Sequence, residues 1–434
     1  MTPLDYGRLL MAFTLTVHSL FLIVGIGLAL FISAAEFLGL RKHNEDYLRM
    51  ARSWSRGFVL LFAVGAATGV TLAVELYLLW PSFMAVASQI IILPMFIEVF
   101  AFFVEAIFLG IYMYSWDRFK NPWRHWIASL PIVVGSALSG FLITSVNAFM
   151  NAPAGVTLSG GQIVAVDPVA AMLNPATAYE TSHVLIACYV GTAFALASIY
   201  AYKRLKGDSS DYAKRAFNLA LGVATVVAIL AAISGSLSAT FVATSQPEKF
   251  AAMEALYRTR AGAPEVFFGI TIPIPGLLSF LTTGSFSGTV TGLDAFPASD
   301  WPDVGIVHTA FNLLVTFGIY LVIVSVGTVL LSRIRGAARL KRLATYALIA
   351  AGPIAYANFM LGWIVTEVGR QPWLVYHVMT VEQGFTKAGD AVPALFYFFV
   401  IFYSALLALT VVVLRRIYGS RPPEPTTVPG VAHG

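Results

Sequence analysis

Residues 91–115 read IILPMFIEVFAFFVEAIFLGIYMYS, twenty-five positions with only two charges, Glu98 and Glu105. An apolar run of about 20 residues or more is the length a helix needs to cross the hydrocarbon of a bilayer. A soluble surface helix of this length would show a polar face, and this one shows none. Ionisable groups inside a membrane are expensive and are kept for ligands, ions or protons. The two glutamates are seven residues apart, two helical turns, so both carboxylates face one way. The many phenylalanines between them suit lipid or packing better than a cofactor box.

The same pattern recurs along the chain. Of 434 residues, 58% are hydrophobic and 11% charged, and the mean hydropathy is +0.79. A soluble protein carries about twice that charged fraction. Nine apolar runs are expected to be helices, near 10–35, 56–80, 91–115, 126–149, 183–202, 216–243, 306–332, 343–366 and 392–414. Without water in the hydrocarbon, each must satisfy its own backbone. The fold class expected is therefore an all-α polytopic membrane protein with nine transmembrane helices.

The loops set the orientation. One side carries Arg41, Lys42, Arg49, Arg52 and Arg56, then Arg118, Lys120 and Arg124, then Lys203, Arg204, Lys206, Lys214 and Arg215. It also carries Arg333, Arg335, Arg339, Lys341 and Arg342, and Arg415, Arg416 and Arg421 in the tail. These are 21 of the 27 basic residues. The other side has only Arg8, Lys249, Arg258, Arg260, Arg370 and Lys387. The N-terminus is expected outside and the C-terminus in the cytoplasm, with the net charge of +5 reporting topology and not nucleic-acid binding.

Four parts follow: helices one to six over 1–243, an extracytoplasmic loop over 244–305, helices seven to nine over 306–418, and a disordered tail over 419–434. The loop opens with a helix-compatible stretch from Pro247 to Thr259 after a Ser245 cap. The first apolar run is not expected to be a cleaved signal, since it lacks a basic start and contains His18. The single Cys188 lies in a span, so no internal disulfide forms, and there is no Cys-x-x-Cys-His haem attachment or nucleotide-binding glycine motif.

With that orientation, His18, His183 and His308 fall in the outer halves of their helices, close in depth to Glu98 and Glu105. Neutral imidazole is a good haem ligand, and carboxylates along a helix relay protons or bind metal. Each histidine could also be a packed, hydrogen-bonded core group, and the glutamates an interhelical contact. Glu75, within the second span, is balanced between structure and function. His43, His125 and His433 fall in cytoplasmic loops or the tail. The remaining imidazoles are too few for two haems and a three-histidine copper centre.

At this point the residues resemble a known family, subunit I of the cytochrome bd-type quinol oxidases, over nearly the whole chain. The resemblance rests on Arg8 with His18, Ala67-Thr68-Gly69-Val70-Thr71, Ala101-Phe102-Phe103-Val104-Glu105, and Gly135-Ser136 with Asn147. It continues with His183, Glu248-Lys249-Phe250-Ala251-Ala252-Met253-Glu254 and Gly369-Arg370-Gln371-Pro372-Trp373, the last being the most specific. It implies that His18 binds one of two high-spin haems and His183 the low-spin haem b. The cofactors implied are low-spin haem b, high-spin haem b, and haem d or a further haem b. Glu98 and Glu105 would serve the oxygen site, Lys249 and Glu254 the quinol, and Arg370 with Trp373 the haem propionates or ring edges. The compact loop after Glu254 resembles the short version of the family.

The chain departs from the family pattern in three places. Leu314 and Asn312 stand where a methionine ligand and an arginine are usual, which makes His308 a candidate second ligand to the low-spin haem. His377 replaces a glutamate ligand four residues past Trp373. The acidic residue usual at the end of span six is missing from Ser234-Gly235-Ser236-Leu237-Ser238. The function implied is oxidation of quinol at the outer face and reduction of oxygen to water, contributing to membrane potential without a pump. A second membrane subunit, small single-helix subunits and a prokaryotic plasma membrane are the expected partners and location. The rival readings are a bd-like haem protein with another electron donor, and a proton-coupled transporter without cofactor.

Overall fold

The computed structural model describes residues 1–159, 162–266 and 273–419. Among them nine helices are long and apolar enough to cross a membrane, one for each run read from the sequence. They are α1 (Pro3–Lys42), α2 (Glu45–Leu79), α3 (Pro81–Tyr114), α4 (Pro122–Asn151), α6 (Thr177–Leu205), α7 (Asp211–Ser245), α10 (Val304–Arg333), α11 (Ala338–Val368) and α13 (Val392–Gly419). Each overruns its apolar stretch because capping and charged turns extend it beyond the hydrocarbon. Thr2 and Asp5 form a capping box on α1, while Ser210 and Asp303 cap α7 and α10.

Short elements lie in the connections. A hairpin of β1 (Val156–Ser159) and β2 (Gln162–Val166) leads into α5 (Pro168–Met172), which Asp167 caps. The long loop holds α8 (Pro247–Met253), β3 (Arg260–Ala261), α9 (Leu277–Thr283) and β4 (Thr289–Val290). After α11 come β5 (Trp373–Val375), β6 (Met379–Thr380) and α12 (Val381–Gly384).

Helix α1 is central, packing on α2, α4, α6 and α13, while α6 joins it to α7 and α11. The α6–α7 seam is built from Ala193, Ala197 and Ala201 with Ala213, Ala216, Ala220 and Ala224, all buried. Lipid offers no hydrophobic drive for helix pairing, so small residues that let backbones approach supply dispersion contact instead. Phe96, Phe100 and Phe103 of α3 are exposed, as expected of lipid-suited side chains.

The structure corrects three expectations. The loop helix stops at Met253 rather than Thr259, because Ala255 turns left-handed at φ 48°. Ser245 does not cap it: α7 runs to Ser245, whose hydroxyl donates back to the Phe241 carbonyl. His125 is no loop residue. It is the fourth residue of α4 and 3% exposed, held inside by polar partners that no hydropathy window registers. Of the tail expected to be disordered, 419–434, Gly419 ends α13 and 420–434 lie outside the described residues.

Candidate functional site

His18 and His183 share one arrangement. His18 Nδ1 lies 2.9 Å from the Thr68 hydroxyl, which itself donates to the Gly65 carbonyl. His183 Nδ1 lies 2.8 Å from the Ser234 hydroxyl, which donates to the Ala231 carbonyl. A hydroxyl has one hydrogen to give. With it directed at the carbonyl, the oxygen accepts from Nδ1–H, so that a neutral ring carries its lone pair on Nε2. Nε2 is then left as a bare lone pair with no hydrogen-bond partner among the described residues. Glycines face both rings: a Cβ on Gly69 or Gly235 would stand 3.3 Å from the Cε1 of His18 or His183.

The α3 glutamates face a matching row on α4. Ser139 donates to Glu98 Oε1 at 2.8 Å, and Ser136 stands beside the buried Glu105. Gly135 makes this pairing close, since a Cβ there would lie 3.1 Å from the Ala101 carbonyl and from Glu105 Cβ. Gly135→Val should therefore wedge α3 from α4 and destabilise the protein by about 1–3 kcal/mol, the usual cost of overpacking. Thermal unfolding in detergent measures it, and an unshifted transition would contradict the close approach.

At the end of the bundle where α1 begins, four buried or half-buried charges interlock. Arg370 donates to Glu367 Oε2 at 2.7 Å and to Asn151 Oδ1 at 3.2 Å. Asn147 donates to the other Glu367 oxygen, and Asn151 Nδ2 donates to Glu180 at 2.8 Å. Lys249 reaches Gln246 at 3.1 Å and the Thr366 carbonyl at 3.2 Å. Two carboxylates thus balance an ammonium and a guanidinium, as buried charge requires. Gly369 admits the lysine stem, since a Cβ would lie 2.9 Å from Lys249 Cγ. Glu180, Gln246 and Asn151 were not singled out in the sequence. Glu180 could have been, for it precedes His183 by three residues on one helix face.

His377 and His308 stand apart from that pattern. His377 Nε2 lies 3.3 Å from Glu248 Oε1, and its ring stacks on Tyr376, which donates to Glu248 Oε2. In this structure the nitrogen expected to meet iron faces the Glu248 carboxylate. His308 donates from Nδ1 to the Met253 carbonyl at 2.7 Å, and the Asn312 amide sits 3.2 Å from its ring nitrogens. His308 therefore fastens α8 to α10. Leu314 packs with Leu361 and Val365 in an aliphatic cluster.

The model of the family "Cytochrome bd terminal oxidase subunit I" matches residues 6–422. The chain belongs to the cytochrome bd subunit I family. It is 35% identical to the putative cytochrome bd menaquinol oxidase subunit I of Bacillus subtilis, over 97% of this chain and 98% of that protein. It is 31% identical to the cytochrome bd ubiquinol oxidase subunit 1 of the same organism, over 96% and 93%. The bd oxidase structure from Geobacillus thermodenitrificans superimposes with a TM-score of 0.92 at 39% identity, covering 97% of this chain and 99% of that one.

The haem that a cytochrome bd subunit implies fits the donor set here. Two neutral imidazoles offer bare Nε2 atoms, each with Nδ1 held by a hydroxyl, which is how proteins orient iron-bound histidine. Buried nitrogens also wait for anionic partners: Arg8 Nε, Arg370 Nε and Trp373 Nε1 have no hydrogen-bond partner among the described residues. Guanidinium suits a propionate.

Proposed function

We propose that this subunit oxidises a quinol beside α8 and supplies the electrons and protons that turn oxygen into water. The N-terminus lies outside and the C-terminus in the cytoplasm, on the distribution of 21 of 27 basic residues. Residues 1–243 and 306–418 then form the membrane part and 244–305 the outer, quinol-binding loop. The observation that carries the reading is the pair of iron-ready imidazoles at His18 and His183, in the half of the bundle that α8 covers. His18 and His183 would hold haem there, and the haem would supply the redox chemistry for oxygen reduction.

Lys249 and Glu254 are the quinol residues. Burial pushes the Lys249 ammonium down to about 8, opposed by Glu180. Burial pushes the Glu254 carboxyl up to about 8, with Glu265 adding to the rise. Glu254 accepts a quinol proton only as carboxylate, a form gained as pH rises through about 8. Lys249 donates a hydrogen bond to a quinone oxygen as ammonium, a form lost as pH rises through about 8. The kcat/KM for quinol should therefore be bell-shaped with its maximum near pH 8, and Glu254→Gln should remove the acid limb. A flat profile between pH 6 and 10 would sink these two assignments. Protons leave quinol outside, while those for water travel from the cytoplasm past Glu105 and Glu98, so turnover charges the membrane without a pump. A second membrane subunit completes the enzyme in a prokaryotic plasma membrane.

A visible spectrum of the purified complex with quinol-dependent oxygen uptake tests the reading; a colourless preparation would end it. One observation favours a second reading, in which electrons come from another donor: Leu314 cannot bind iron, and Asn312 is turned to His308. Uptake with a soluble donor and none with quinol would select it. A transporter without cofactor expects helices broken at mid-depth, whereas the nine described spans are continuous.

A further inference from the structure

Glu36, Tyr112 and His125 come from three helices, and nothing above uses them. Glu36 is 1% exposed, Tyr112 fully buried and His125 3% exposed, at the basic-loop end of the bundle. His125 Nε2 lies 2.9 Å from the Tyr112 carbonyl, which can only accept, so Nε2 carries hydrogen. His125 Nδ1 lies 2.6 Å from Glu36 Oε1. A single proton therefore lies between imidazole and carboxyl, and it belongs to either. Tyr112 donates to the second carboxyl oxygen at 2.7 Å. Trp116 covers the histidine with ring centroids 4.4 Å apart, and Arg52, paired with Asp117, lies over Trp116.

From this cluster a route leads along α3. Glu98, Glu105 and Tyr112 are spaced by seven residues, so all three lie on one face, each about 10.5 Å from the next at 1.5 Å per residue. On α4, His125, Ser129, Ser136 and Ser139 share the facing side. Beside Tyr112 sits a small, mostly apolar cavity of about 10 Å³, lined by Ser55, Leu109, Tyr112, Ser129 and Ile132, among others. That is room for about one water. The hydroxyls of Ser129 and Ser33 are 2.8 Å apart at its edge, and Ser136 donates to the Ile132 carbonyl on the far side. Glu105 follows two turns along α3 from Tyr112, on the same face.

We infer that Glu36, His125 and Tyr112 form the proton-loading station through which cytoplasmic protons reach Glu105. The inference rests on the proposed oxidase reading and its orientation. The step balances without a further reactant: the shared proton leaves by the Tyr112 hydroxyl into the cavity, and one from the cytoplasm replaces it between Glu36 and His125. A purely structural cluster would tie α1, α3 and α4 together equally well, but it would not need a water-sized cavity at Tyr112 edged by the hydroxyl-bearing Ser55 and Ser129.

The test uses the whole enzyme complex in vesicles. Glu36→Gln keeps the shape and the tyrosine contact but cannot pass a proton. Oxygen uptake is expected to fall about 100-fold, the low end for a lost proton-transfer group. Anaerobic reduction by quinol and the haem spectrum should stay as in wild type. Proton uptake from the cytoplasmic side should slow by the same factor, and a carboxyl C=O infrared band that shifts in deuterated water should disappear. Wild-type uptake and proton kinetics in Glu36→Gln would overturn the inference. If Glu36→Gln loses haem, Tyr112→Phe and Ser129→Ala take its place: slowed proton uptake with an intact spectrum supports the station, and unchanged uptake in both overturns it. Failure of the oxidase reading is separate, since it would show as wild type without haem or quinol-dependent uptake.

Discussion

His18→Ala is expected to remove one haem from the purified complex and to lower oxygen uptake by more than about 100-fold, as loss of a metal's own ligand exceeds the 10–100-fold cost of losing a group that merely orients it. The expectation follows from the hydrogen-bond order around the ring. Thr68 gives its hydrogen to Gly65 and accepts from His18 Nδ1, so Nε2 faces inward as a lone pair. Alanine leaves the space against Gly69 but nothing to donate electrons to iron. Free imidazole added to the mutant should recover part of the lost absorption, because the vacated volume matches it. Thr68→Val should lower haem affinity about 10-fold without abolishing it, the usual effect of removing an orienting partner. An unaltered spectrum in His18→Ala would exclude His18 as a ligand.

Arg370→Leu should be the most destabilising single change at the opposite side of the same site. Its guanidinium meets Glu367 and Asn151 with its side chain 1% exposed. Leucine fills the volume but strands Glu367 against one amide donor, Asn147. Breaking one partner of a fully buried pair costs about 3–5 kcal/mol, and because Glu367 is 32% exposed the loss here lies at the lower end of that range. A fall in the unfolding temperature measures it, and Arg370→Lys should recover less than half, since an ammonium cannot hold both acceptors in the fork geometry. The variant also carries a pH signature. Arg370 holds the Lys249 ammonium down, so its removal moves the alkaline limb of quinol turnover to higher pH. Unfolding at the wild-type temperature would show that the network is not shared between the two cations.

The site was legible where residue type alone restricts chemistry. Imidazole or carboxylate inside a 25-residue apolar run is conspicuous, which is why His18, His183, Glu98 and Glu105 stood out and why the Gly369–Trp373 motif carried the family. His125 was misplaced because hydropathy sums side chains singly and cannot see a partner on another helix. His377 was matched by spacing, yet its nitrogen lies against Glu248, which is 129 positions earlier in the chain. Glu180 was passed over because one acid at a helix start reads as a dipole partner, and only the fold brings Asn151 and Lys249 to it.

By itself the chain of residues determined the number of long apolar helices among the described residues and which connections carry the basic charge, since these depend on lengths and signs that need no partner. Tertiary structure decided which nitrogen of each histidine is bare, which charges share one network and which glutamate faces which serine. Those outcomes depend on distances of 2.5–3.4 Å between helices far apart in sequence. A hydrogen bond is made or lost within a few tenths of an ångström, whereas hydropathy is a property of each residue alone.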